Sequence, residues 1–81
     1  MEIYETIKVS FTESISNIDR MFDDVEKWGV SNLKEWIESY ETSRFTQIGE
    51  DTAIITSEYN MDFLKEWLRT HIEISKMREL K

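Results

Sequence analysis

The chain has 81 residues, 17 acidic and 10 basic, for a net charge of −7, with no cysteine, no proline and one histidine. That length makes one domain, 1–81, whose single core needs every large side chain it has. Lack of cysteine excludes disulfides and thiolate metal sites, one histidine cannot furnish a structural zinc, and no apolar run approaches membrane-spanning length.

From the N-terminus, residues 2–11 alternate. Ile3, Ile7, Val9 and Phe11 share a face with Glu5, and Tyr4, Thr6, Lys8 and Ser10 point the other way, which predicts a half-buried strand. Thr12 or Ser14 then caps a helix whose Ile15, Ile18, Met21, Phe22, Val25 and Trp28 recur at helical spacing, and Gly29 ends it by supplying a left-handed residue. Ser31 is the expected N-cap of a second helix carrying Leu33, Trp36, Ile37 and Tyr40 on one stripe and ending near Thr42. Residues 44–48 and 52–57 read as a hairpin around Gly49-Glu50-Asp51, with Phe45 opposite Ile55 and Ala53 on the same face, and with Ile48 and Ile54 on the other.

The last predicted element is one long helix over 60–78. Tyr59 staples against Leu64 across an Asn60 cap, Asp62 suits the first turn, and Lys76, Arg78 and Lys81 suit the last. Its apolar residues, from Met61 and Phe63 to Ile72 and Ile74, spread over about half the circumference, wider than a surface helix needs. The excess is assigned to a second copy of the chain, with Ile74, Met77 and Leu80 as the expected homodimer contact.

The expected architecture is therefore α+β, in the order strand, helix, helix, hairpin, helix, with a small three-stranded antiparallel sheet. This order resembles the winged-helix family, in which a strand precedes a helix-turn-helix pair and a two-stranded wing. The resemblance makes 31–42 the recognition helix and 44–57 the wing, and implies a DNA-binding regulator using Lys34, Arg44 and the basic C-terminal residues.

Charge argues for a different role. Residues 1–62 hold 14 acidic and 5 basic groups, whereas 63–81 hold 3 and 5. On the first helix Asp19, Asp23 and Glu26, with Asp24 beside them, form a ladder rising about 4.5 to 6 Å per step, and Glu35, Glu38 and Glu41 form a row on the second. Three carboxylates against Lys34 would repel DNA from the recognition helix, so direct nucleic-acid binding is disfavoured. The ladders suit a partner whose basic surface ordinarily holds phosphates. The composition is similar to that of small acidic phage-encoded inhibitors of nucleases and DNA-repair enzymes. The expected function is thus a non-catalytic, acidic protein-binding module acting on a nucleic-acid-handling protein.

No catalytic, cofactor or metal constellation is recognisable: there is no glycine-rich phosphate loop and no calcium-loop pattern, and His71 has no serine or acid in a recognisable arrangement. His71 is expected to be partly buried and hydrogen-bonded to a neighbour, and Trp28, Trp36 and Trp67 to belong to the core. The opening residues lack a basic segment leading into an apolar run, which points to the cytoplasm.

Overall fold

A computed structural model describes residues 4–40, 42–58 and 61–80. Strand β1 (Glu5–Phe11) is followed by a broken helical connection: α1 (Ile15–Asp19), a 3-10 turn (Arg20–Phe22), α2 (Val25–Trp28) and α3 (Leu33–Glu38). The hairpin of β2 (Arg44–Gln47) and β3 (Thr52–Ser57) comes next, then α4 (Met61–His71) and β4 (Ile74–Leu80). The sheet has four strands in the order β2-β3-β1-β4, and every neighbouring pair is antiparallel. The α+β class is as expected, but this order and pairing form the split βαβ, ferredoxin-like arrangement rather than a winged helix.

The correction originates in two places. The long C-terminal helix stops at His71, and the residues after it form a fourth strand paired with β1. No glycine or proline marks the break. Ile72 and Ile74 flank Glu73 with a strand's period of two, and β-branched side chains favour that conformation. The surplus width of the predicted apolar stripe came from projecting a helix and a strand onto one helical wheel. Lys76 and Arg78 therefore lie on β4, not in a last helical turn, and Arg69 and His71 occupy that turn instead. Tyr59, Asn60 and Lys81 lie outside the described residues, as does Ile3.

The second correction concerns the first helix, which breaks at Asp23-Asp24. Phe22 is fully buried and pins the 3-10 turn, and Asp24 leaves helical geometry (φ −84°, ψ 81°) so that its side chain accepts from Lys27 N–H and starts α2. Aspartate competes with a helical backbone in just this way. Gly29 closes α2 at φ 78°, as its position predicted. Ser14 caps α1, whereas α3 is capped by Asn32 rather than Ser31 and ends at Glu38, short of Thr42.

The sheet registers divide side chains cleanly. Ile7, Val9 and Phe11 of β1, Phe45 of β2, and Ala53 and Ile55 of β3 are buried, and with Ile18, Phe22, Leu33, Ile37, Leu64 and Leu68 they build one core between sheet and helices. The predicted hairpin pairing holds: Phe45 faces Ile55, and Ile48 N–H donates to the Thr52 carbonyl. In the β1–β4 pairing the register shifts between Ser10 and Phe11, leaving Ser75 of β4 as an extra, bulged residue whose hydroxyl donates to the Ser10 carbonyl at 3.3 Å. The bulge lets Ile74 and Met77, three apart, both pack against the core, while Leu80 pairs with Thr6 on the opposite face. The three residues assigned to a dimer contact thus do not form one exposed patch.

Candidate functional site

The predicted acidic ladders do not survive as helical rows, because the helix that would carry Asp19, Asp23 and Glu26 in phase is interrupted. Several of these carboxylates have local tasks instead. Asp19 accepts from Leu33 N–H at 3.0 Å, tying the end of α1 to the start of α3. Asp24 caps α2, and Glu35 accepts from the Asn32 amide at 3.0 Å and from the Ser31 hydroxyl. Glu38 accepts from Phe45 N–H at 3.1 Å and joins α3 to β2. Asp23 and Glu26 are exposed. Glu41 lies outside the described residues.

An aromatic ladder crosses the helical layer. Tyr40 lies 5.4 Å from Phe63 and 4.9 Å from Trp36, Trp36 stacks on Trp67 at 4.0 Å, and Trp67 stacks on His71 at 4.6 Å. Trp28 of α2 meets the other end, 6.4 Å from His71. Of the three tryptophans expected in the core, Trp67 is there, whereas Trp28 and Trp36 only pack against it. Trp67 is 8% exposed and Phe63 is 52% exposed, and Trp28, Trp36 and Tyr40 are half-buried. His71 is oriented by donating from Nδ1 to the Trp67 carbonyl at 3.1 Å, so the expected neighbour bond is present although the residue is exposed. Burial pushes the Tyr40 hydroxyl above its ordinary value.

Along α4 the ladder opens into a shallow cleft lined by Phe63, Glu66, Trp67, Thr70 and His71. Flat π-faces beside a carboxylate suit a guanidinium or ammonium group, which gains from the ring quadrupole and from charge pairing. The molecule already contains such a contact, with the Lys27 ammonium 5.4 Å from the Trp28 ring centre. The i, i+3, i+4, i+7 spacing of Phe63, Glu66, Trp67 and Thr70 was visible in the sequence. What hid the cleft was the assumption that aromatic side chains at helical spacing are all interior.

Among the described residues, no helix is long and apolar enough to cross a membrane, and no three His, Cys, Asp or Glu side chains gather as a metal site would require. Comparison with curated proteins and with solved structures returned no match. A family model described as a domain of unknown function, DUF6956, matches residues 1–79, and the chain accordingly belongs to that family.

Proposed function

We propose that the protein is a non-catalytic binding module whose helical side captures a basic segment of a partner protein. The observation that carries this reading is the half-open aromatic ladder ending in the Phe63, Glu66, Trp67, His71 cleft. Aromatic residues in a partly desolvated cleft are the side chains that most often anchor an interface. Around them, outside the open face of the sheet, the described residues comprise fifteen carboxylates and five cations. That imbalance favours a cationic partner and speeds its encounter. An arginine or lysine of the partner would lie against the exposed Phe63 ring with Glu66 as counter-charge, and the exposed Asp23 and Glu26 would steer the approach. A nucleic-acid-handling protein offers such basic segments, and a module occupying them would act as an inhibitor or regulator.

The test is a titration of tryptophan fluorescence with an arginine-rich peptide and with a neutral peptide of equal length. A saturable change with the first alone, weakened at least tenfold by Glu66→Lys, is expected. No saturable change, or one indifferent to Glu66→Lys, would refute the reading.

A further inference from the structure

The face of the sheet turned away from the helices has the opposite character. Its strand residues are Arg44 and Thr46 on β2, Thr52, Ile54 and Thr56 on β3, Thr6, Lys8 and Ser10 on β1, and Lys76, Arg78 and Leu80 on β4. Four of the eleven are cations and none is acidic. On β4, Glu79 turns the other way and pairs with Lys65 of α4. The other carboxylates next to the face by chain position are Glu5, which precedes Thr6 and alternates to the helical side, and Asp51 and Glu58, which flank the ends of β3.

The placement of the cations is costly for folding alone. Lys8 stands directly opposite Arg78, and Lys76 is the next open-face residue along β4, opposite Ser10. Like charges in a directly opposed pair destabilise a sheet. The three side chains, with Ser10, line one cleft. Beside them run two hydroxyl pairs across the strands, Thr6 with Thr56 at 3.3 Å and Ser10 with Thr52 at 3.1 Å. Arg44 extends the positive charge to the far edge, three strand spacings or about 14 Å away.

From this face the geometry points to a second binding site, independent of the helical cleft, for the phosphodiester backbone of single-stranded nucleic acid. The charges are spread across an open surface, which suits an extended polyanion better than one small anion. Hydroxyls between the cations offer donors to phosphate oxygens. Tyr4, 51% exposed, lines a neighbouring cleft with Glu5, Thr6, Glu79 and Leu80 and presents a ring on which a base can stack, which an acidic polypeptide would not use. Sheet platforms that read base sequence carry several aromatic rings; cations and hydroxyls in their place make binding insensitive to sequence. A single strand can follow the basic face alone, whereas a stiff duplex would project past it toward the acidic remainder of the molecule. Such a site departs from the expectation against nucleic-acid binding, which rested on the carboxylates around Lys34 in the recognition-helix segment.

The test is fluorescence anisotropy of a labelled oligothymidylate over a salt series, with circular dichroism of each variant as the folding control. With three phosphates neutralised, the slope of log affinity against log salt is about −2, so binding weakens about twentyfold between about 50 and 200 mM salt. In Lys8→Gln/Arg78→Gln the slope falls to about −0.7 and the loss to about threefold. Lys8→Glu separates binding from folding, because it replaces a repulsive pair by an attractive one: melting temperature is held or raised while affinity falls at least tenfold. Non-saturable binding, a folded Lys8→Glu that binds as well as the parent, tighter binding of duplex, or equal binding of polyglutamate would each overturn the assignment. Glu66→Lys leaves oligothymidylate affinity no weaker, so failure here and failure of the peptide cleft are distinguishable.

Discussion

The helical layer and the open face of the sheet carry opposite charge, and they hold it in different ways. Asp19, Asp24 and Glu38 in the helical layer accept from backbone N–H groups, capping a helix or joining elements, and Glu35 accepts from the Asn32 and Ser31 side chains at the start of α3. Lys8, Lys76 and Arg78 on the open face stand next to one another, two of them directly opposed. Carboxylates bound to backbone donors belong to the fold and are partly spent as interaction groups. Clustered cations on a strand pair weaken the fold, so their presence is better explained by something outside it.

The contrast is sharpened first by breaking the helical layer at its centre. Trp67 stacks on Trp36 and His71 and lies 6.4 Å from Phe22, so Trp67→Ala is expected to cost about 3 to 5 kcal/mol in urea denaturation. A loss below about 1 kcal/mol would make the ladder a surface ornament rather than the spine of the layer. Next come the carboxylates read as structural. Asp19→Ala and Glu38→Ala each orphan a partly buried backbone N–H and should cost about 1 to 3 kcal/mol, whereas the exposed Glu26→Ala stays within about 0.5 kcal/mol. Equal effects at all three would erase the distinction between structural and free acids.

Gly29→Ala tests the turn that lets α2 end and α3 begin. A Cβ there would meet nothing within 4 Å, so the expected cost of about 1 to 2 kcal/mol comes from the left-handed backbone alone. On the other face the sign changes: Lys8→Glu should stabilise by about 0.2 to 1 kcal/mol, read from the thermal midpoint. The smallest effect is a pH response. Because Tyr40 ionises less readily when folded, the unfolded chain releases its proton first as pH rises, and stability declines once pH passes about 10. Tyr40→Phe should remove that part of the decline.

Much of this was legible in residue order. Alternation along β1 separated Ile7, Val9 and Phe11 from Thr6, Lys8 and Ser10, and the structure keeps that division. Gly29 and the Gly49-Glu50-Asp51 turn were also placed correctly, since each answers a local steric or length requirement. The break at Asp23-Asp24 was missed because apolar spacing stayed helical through it, and only the burial of Phe22 shows why the chain turns there. The fourth strand was missed for want of a punctuating residue. With it went the basic face: the sequence shows positive charge gathering in 63–81, but only pairing with β1 brings Lys76 and Arg78 beside Lys8. The period-two spacing of Ile72 with Ile74, and then of Lys76 with Arg78, was the available signal, although the bulge at Ser75 puts the two pairs on opposite faces.

The bulge at Ser75 gives β4 a built-in tolerance in one direction only. Because Ser75 is surplus to the pairing, a one-residue deletion between Ile74 and Lys76 can be absorbed by closing the ladder, leaving Met77 inward and Arg78 outward. A one-residue insertion at the same place has no slack to consume. It would rotate Met77 into solvent and drive Arg78 into the core, because a shift of one reverses every side chain of a strand. Variation in this segment should therefore shorten it more readily than lengthen it, a directional rule of sequence drift set by a single unpaired serine.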